Sequence, residues 1–214
     1  MPQIFHASMN TLSRATIFGA VFILGLATWV VAAIVRSPYA TGVGVILSQP
    51  VPFSHKHHVS ECGIDCRYCH TSVEDSSYAG IPPTQTCMNC HSQLWAESPM
   101  LAPVRESYRD NKPLIWNRVN DLPDFAYFNH SIHINKGVAC RTCHGDVGEM
   151  PLTWQASTLY MEWCLNCHRN PRPAVGPREL VFATTNAEFE NPPNVDWIRE
   201  YHVQSKTNCS ICHR

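Results

Sequence analysis

The longest uninterrupted apolar stretch of the chain lies near its N-terminus, at residues 15–35. These 21 residues carry no charged side chain and are bounded by Arg14 and Arg36. At a rise of about 1.5 Å per residue, a helix of this length crosses the roughly 30 Å hydrocarbon layer of a bilayer. Pro38 follows shortly and helps to end such a helix. The pattern therefore predicts one transmembrane helix.

The same stretch could be a cleaved secretory signal, which is the main alternative. Its apolar run exceeds the roughly 7–15 residues of a signal core, and no convincing Ala-x-Ala cleavage site follows. We therefore expect residues 1–36 to form a cytoplasmic tip and an uncleaved anchor. Arg14 and Arg36 balance each other, so the distribution of basic residues does not orient the helix.

Residues 37–214 show no comparable pattern. Apolar and polar positions there follow neither a helical nor a strand period over any long segment. The chain contains 16 prolines, and 15% of its residues are charged. Such a segment has little means of building an ordinary core. The net charge is −1 and no long basic run occurs, which argues against a nucleic-acid partner. We expect a mostly irregular fold with short α-helices.

A short pattern, Phe-x-His-x-x-His, occurs twice in this region, at residues 53–58 and 128–133. The two copies are offset by 75 residues, and the cysteines that follow them, Cys66 and Cys140, by 74. This near-constant offset indicates an internal duplication. The predicted units are residues 53–91, residues 128–168 and a truncated third unit, residues 202–214.

The duplicated region also carries five copies of Cys-x-x-Cys-His, which together use ten of the eleven cysteines. In this motif the two thiols form thioethers to a haem edge, and the histidine ligates the iron from the proximal side. A thioredoxin-type pair, a zinc ribbon or a disulfide framework does not need a histidine after every second cysteine. The motifs therefore predict five covalently bound haem c groups.

The predicted attachment residues are Cys66, Cys69, Cys87, Cys90, Cys140, Cys143, Cys164, Cys167, Cys209 and Cys212. The predicted proximal ligands are His70, His91, His144, His168 and His213. Five large planar cofactors in 178 residues must themselves supply much of the core. Because c-type haem is attached outside the cytoplasm, residues 37–214 are expected to form an extracytoplasmic, periplasmic domain beside the inner membrane.

The remaining histidines supply candidates for the distal ligands. His6 lies on the far side of the predicted membrane helix, and the repeated pattern excludes His57, which falls between its two histidine positions. His202 precedes Cys209 by the interval that separates His133 from Cys140. The predicted distal set is His55, His58, His130, His133 and His202. Methionine ligation by Met100, Met150 or Met161 stays open, and it would raise the potential of one haem.

Histidines on both faces of every haem would leave no iron position for a substrate. We therefore expect electron transfer rather than enzymatic chemistry in this chain. The alternative is a multihaem reductase with one open iron. Cys62, the eleventh cysteine, has no partner cysteine and is either a small buried side chain or a redox-active thiol.

The layout resembles the pentahaem cytochrome c subunit of bacterial alternative complex III. The resemblance is carried by the anchor, by the number and order of motifs, and by residues 63–70, 80–91 and 161–169. It implies a quinol-oxidising membrane complex in which integral membrane subunits bind quinol. It also implies an iron–sulfur subunit against this chain and a monohaem cytochrome c that relays electrons outward.

Two further expectations concern the assembly and the ligand pairing. A stand-alone NapC-type quinol dehydrogenase is the alternative assembly, but that family has four haem motifs. The predicted membrane helix also has no acidic residue or histidine with which to deprotonate quinol.

Resemblance to small tetrahaem cytochromes implies that the first histidine of each pair serves the nearest downstream motif. The second histidine would cross to another haem and tie the two repeats together.

Overall fold

The N-terminal part of the chain is a long helix in the computed structural model, which describes residues 4–6, 8–184 and 195–213. Contacts divide the chain into two compact units, residues 1–43 and residues 44–214. The first unit contains α1, Ser8–Arg36, and a short helix α2, Pro38–Thr41. Gly42 ends α2 in the left-handed conformation, with a φ of 71°.

Helix α1 begins earlier than the apolar stretch and ends at Arg36, as predicted. Its best 18-residue window has a mean hydropathy of 2.5, and none of that window is buried. It is the one helix in the described part of the chain that is long and apolar enough to cross a membrane. This helix fits a single-pass anchor by length and composition.

The second unit is built from short helices joined by irregular segments. In chain order its α-helices are α3 (Cys66–Cys69), α4 (Thr84–His91), α5 (Ala102–Asp110), α6 (His130–Asn135), α7 (Cys140–His144), α8 (Met161–Arg169), α9 (Trp197–Glu200) and α10 (Cys209–Cys212). A π-helical turn covers His57–Glu61, and 3₁₀ turns cover Pro99–Leu101, Val147–Glu149, Arg172–Ala174 and Arg178–Leu180. Within the described ranges there are two isolated β-bridges and no strand. The prediction of a mostly irregular fold with short helices is confirmed.

Local capping explains why several helices begin where they do. The Asp65 carboxylate accepts a hydrogen bond from the backbone N–H of Arg67 at 2.8 Å and caps α3. The side chain of Asn129 accepts one from the backbone N–H of Ile132 at 3.3 Å and caps α6. Each cap satisfies an N–H group that the first helical turn leaves unpaired. The caps thus fix the start of a haem motif and of a histidine pair.

Buried apolar side chains form two small clusters in the second unit. One consists of Val51, Leu101 and Val104. The other consists of Val73, Ile134 and Val181, with Cys140 and Phe182 packed against it. Since Val73 follows the first haem motif and Ile134 precedes the third, the second cluster joins the two repeats.

Candidate haem-binding sites

Each Cys-x-x-Cys pair lies within a helical segment, so its two thiols share one helix face. Residues three apart in a helix are neighbours on the same side, which suits attachment to one edge of a planar group. The helices concerned are α3, α4, α7, α8 and α10. All eleven cysteines lie within the described residues, and none forms a disulfide.

Seven of the ten attachment thiols have a raised pKa, unlike the thiols of a reactive redox pair. Burial is the main cause that raises the pKa of Cys140 and of Cys143 to about 12. Burial likewise raises the pKa of Cys66 and Cys87 above the usual range. Catalytic Cys-x-x-Cys pairs instead have a lowered pKa, because the thiolate is the reactive species. The environment of these thiols therefore disfavours the thioredoxin-type reading.

Three proximal histidines face a second histidine across a constant distance. The ring centres of His58 and His91 are 6.2 Å apart. Those of His130 and His144 are 6.4 Å apart, and those of His133 and His168 are 6.1 Å apart. The three pairs belong to three different haem motifs.

This spacing fits two imidazoles that ligate one metal ion from opposite sides. A ligating imidazole nitrogen lies about 2 Å from its metal, so the two ring centres of such a pair are about 6 Å apart once both rings are included. The donor set of two neutral imidazoles also suits haem iron. The residues present therefore fit haem c at these motifs.

The orientation of the facing rings divides the pairs into two kinds. The rings of His130 and His144 are nearly parallel, with an interplanar angle of 7°. The His58–His91 and His133–His168 pairs are crossed, at 71° and 63°. The two crossed pairs occupy equivalent positions, because each joins the second histidine of a repeat to the second haem motif of that repeat.

Most of these histidines are held through the ring nitrogen that would not ligate iron. The Nδ1–H groups donate to backbone carbonyls, which can only accept, so Nε2 is left as the ligating atom. The donor–acceptor pairs are His70–Gly80 (2.7 Å), His91–Leu94 (3.0 Å), His58–Ser54 (2.7 Å), His130–Ser77 (2.9 Å), His133–Asn129 (2.7 Å), His168–Lys206 (2.8 Å) and His213–Phe125 (3.0 Å). Such bonds fix the tautomer and the ring direction of a metal ligand.

His55 is held in a different way, by a side chain of the second repeat. Its Nδ1 lies 2.9 Å from the hydroxyl of Thr153. Burial, followed by the neighbouring His70, lowers the pKa of His55 to about 4. Burial also lowers the pKa of His144 to about 4, with contributions from His130 and His70. Both rings are therefore neutral at pH 7, which is the form that ligates metal.

The two Phe-x-His-x-x-His segments have the same geometry. Phe53 meets His55 edge-on at 4.9 Å and stacks on His58 at 4.4 Å. Phe128 meets His130 edge-on at 4.8 Å and stacks on His133 at 4.4 Å. One phenyl ring thus contacts both histidines of its pair and restricts the rotation of each.

The pairing differs from the expectation that the second histidine of each pair ties the repeats together. His58 faces His91, and His133 faces His168, so each second histidine stays within its own unit. The connection between the repeats comes from the hydrogen bonds of the first histidines. His55 contacts Thr153 of the second unit, and His130 donates to a carbonyl of the first.

His57 is engaged on both of its ring nitrogens, unlike the predicted ligands. Its Nδ1 lies 2.9 Å from a carboxylate oxygen of Glu61, and its Nε2 lies 3.9 Å from the Cys62 sulfur. Its ring also stacks on the exposed Trp95 at 5.6 Å. Cys62 is itself exposed, contrary to the reading of a small buried side chain.

The structure does not bring together the predicted ligands of the fifth motif. His213 contacts Phe125, with ring centres 5.9 Å apart. His202 has a left-handed backbone conformation, with a φ of 50°, and among the described residues no ring contact joins it to His213. The ligation of this motif by His202 stays a prediction.

The three methionines considered as rival ligands occupy different environments. Met100 and Met161 are exposed. Met150 is buried, and its carbonyl accepts a hydrogen bond from the backbone N–H of Lys56 at 3.1 Å.

Arg214, the last residue of the predicted third unit, lies outside the described residues.

The sequence reading missed the groups that orient the histidines. The phenylalanines could have been found, because they repeat with the histidines they contact. Backbone carbonyls such as those of Gly80 and Lys206 carry no sequence signature, since every residue has one. Only the fold shows which carbonyl lies beside which ring.

Comparison with known proteins relates the chain to c-type cytochromes. A family described as cytochrome c7 and related cytochrome c matches residues 126–214, which include the second histidine pair and three haem motifs. The chain is also 34% identical to the multihaem cytochrome c subunit of a menaquinone reductase from Nitratidesulfovibrio vulgaris. That alignment covers 57% of this chain and 68% of the relative.

Proposed function

The chain belongs to the multihaem cytochrome c family, and on this premise we propose that it relays electrons through five haem c groups within a membrane quinone oxidoreductase complex. Electron transfer is the function of the family, while the haem count and the complex are the proposal. The opposed histidine pairs, with ring centres 6.1–6.4 Å apart, are the observation that carries it. Such pairs would occupy both axial positions at three of the five motifs. With His55 and His202 as the distal ligands of the other two motifs, we expect this chain to have no substrate site of its own.

The protein residues hold and orient the haems in this account. The ten motif cysteines provide the thioether bonds, and the five motif histidines provide the proximal ligands. The distal ligands are His55, His58, His130, His133 and His202. Haem c supplies reversible one-electron exchange, and the Nδ1 hydrogen bonds adjust its potential by changing ligand basicity.

The membrane placement follows from the anchor. Helix α1 would hold the second unit against the inner membrane, with residues 37–214 on the periplasmic side, where haem c is attached. The anchor carries no ionisable residue between Arg14 and Arg36, so partner subunits would bind the quinone. The partners that we propose are integral membrane quinone-binding subunits, an iron–sulfur subunit and a monohaem cytochrome c.

The direction of electron flow has two candidates. The resemblance to alternative complex III favours quinol oxidation with delivery to a periplasmic acceptor. The relative that aligns with this chain is a subunit of a menaquinone reductase, which favours electron flow toward quinone. Both candidates use the same relay, and they differ in which end receives the electron.

Purification of the complex from native membranes in mild detergent tests this proposal. The complex should co-purify with quinone-binding subunits and exchange electrons with a menaquinone analogue. Reduction of the haems by added quinol supports quinol oxidation by the complex. Reduction of quinone by a prereduced cytochrome donor, in the absence of dithionite, supports electron flow toward quinone. Purification of the chain with no partner, and robust turnover of nitrite or hydroxylamine, would contradict the proposal and favour the reductase alternative.

A further inference from the structure

The contacts of the histidines also order the five haem sites in space. Sites 1 to 5 are numbered here by the order of their motifs along the chain. Their proximal histidines are His70, His91, His144, His168 and His213. The contacts that link one site to another lie in the segments around these residues.

Sites 1 and 2 are neighbours because they share one phenylalanine. Phe53 contacts both His55 and His58. His58 faces His91 of site 2, and His55 is assigned to site 1, the nearest downstream motif, as the resemblance to small tetrahaem cytochromes implies. The helices that carry the two motifs are also joined directly, since the Asn89 side chain donates to the Tyr68 hydroxyl at 3.2 Å.

Sites 3 and 4 are neighbours for the same reason. His130 and His133 lie three residues apart on α6 and contact one ring, that of Phe128. His130 faces site 3, and His133 faces site 4. One helix turn therefore provides the distal side of both sites.

Sites 1 and 3 are joined by a reciprocal exchange between the repeats. The distal histidine of site 1, His55, contacts Thr153, which follows the site 3 motif. The distal histidine of site 3, His130, donates to the Ser77 carbonyl, which follows the site 1 motif. The buried cluster of Val73, Ile134 and Val181 lies at the same junction, with Cys140 of site 3 packed against it.

Site 4 is joined to the segment that leads into site 5. His168 donates through Nδ1 to the Lys206 carbonyl at 2.8 Å, and the Ser205 hydroxyl donates to the His168 carbonyl at 2.8 Å. In agreement, burial followed by the neighbouring Cys212 raises the pKa of Cys164.

The proximal histidines at the two ends lack such links among the described residues. His91 of site 2 donates to Leu94 within its own turn. His213 of site 5 donates to Phe125, a residue of the segment between the two repeats rather than of another motif. Through its histidines, each of these sites is therefore linked to one other site. The turn after His58 also contacts the segment after the site 3 motif, since the Ser60 hydroxyl donates to the Gly148 carbonyl at 2.7 Å, but neither group belongs to a histidine of the two sites.

We propose that the five sites form one unbranched row in the spatial order 2–1–3–4–5. This inference rests on the proposed function and deepens it, because it names where electrons enter and leave. Sites 2 and 5 are the two terminals, and every transferred electron crosses the junction between sites 1 and 3. The order differs from the order along the chain, since the first repeat runs through the row in reverse.

The test maps neighbours in the isolated, fully loaded chain, without quinone or partners. A His130→Met variant makes site 3 the haem of highest potential, because methionine ligation raises the potential. Addition of one electron per chain then reduces site 3 alone. The midpoint potentials and the spin-coupled resonance signals of two haems, those of sites 1 and 4, should shift, while sites 2 and 5 stay unchanged.

A His58→Met variant is the matched control, since it places the electron at a terminal. One neighbour, site 1, should then shift. If His130→Met does not load five haems, His133→Met replaces it and should shift sites 3 and 5. A shift of site 2 or site 5 on reduction of site 3, or of two neighbours on reduction of site 2, would overturn the order.

Failure of the order is distinguishable from failure of the proposed function. A different set of neighbours in a chain with five low-spin haems contradicts the order alone. Loss of quinone activity in the purified complex, or fewer than five haems, contradicts the function whatever the order.

Discussion

Two adjacent histidines, His57 and His58, provide the sharpest prediction about ligation. We expect His58→Ala to convert one haem, that of site 2, from six-coordinate low-spin to five-coordinate high-spin. The His58 ring centre lies 6.2 Å from that of His91, and alanine has no group that reaches the metal between them. We expect His57→Ala to leave every haem low-spin, because His57 contacts Glu61, Cys62 and Trp95 instead.

The expected magnitudes follow from the contacts that each variant removes. His58→Ala should make about one fifth of the haem high-spin, since one of five sites loses its distal ligand. His57→Ala removes a partly exposed pair with Glu61, which contributes on the order of 0.2–1 kcal/mol to folding stability. The control variant should therefore fold and load haem like the parent chain.

Electron paramagnetic resonance of the oxidised proteins, with optical spectra in parallel, separates the two variants. A high-spin signal in His58→Ala and its absence in His57→Ala is the expected result. A high-spin signal in His57→Ala, with His58→Ala fully low-spin, would show that the spacing argument chose the wrong histidine.

Three further predictions concern the fold, the tuning of a haem and the anchor. Gly137→Ala should lower the free energy of unfolding by roughly 1–3 kcal/mol in denaturant titrations. Gly137 has a φ of 76°, and a Cβ added there would clash with the Gly176 carbonyl. Unchanged stability would refute this close approach. Thr153→Val should raise the reduction potential of site 1 in redox titrations, because His55 loses a hydrogen bond that increases its basicity. The control variant, Thr158→Val, should change no haem potential. Removal of residues 1–36, with export to the periplasm, should give a haem-loaded protein in the soluble fraction that reacts with redox dyes; quinol oxidation by this fragment alone would contradict the division of labour.

The anchor, the attachment residues and the histidine repeat were accessible from the sequence because each depends on a local pattern. An apolar run predicts α1, and the motif spacing places cysteine pairs on short helices. The exclusion of His57 also rested on spacing, and its contacts with Glu61 and Trp95 agree with that exclusion.

The relation between the repeats was not accessible in the same way. Whether His133 faces His168 or a motif of the first unit depends on contacts across dozens of residues, which no local pattern encodes. The exposure of Cys62, which directly follows the π-helical turn His57–Glu61, was likewise not accessible from the sequence. The structure agrees with the resemblance where His130 faces the nearest downstream motif, but each second histidine faces a motif of its own unit and does not tie the repeats together.

The mass of the intact, fully matured chain tests the central claim most directly. Denaturing mass spectrometry removes noncovalent partners and retains thioether-bound haem, so it counts attached haems one by one. We expect the mass of the 24.1 kDa polypeptide plus that of five haem units. A mature chain that carries four or fewer would contradict it, because at least one Cys-x-x-Cys-His motif would then serve another purpose.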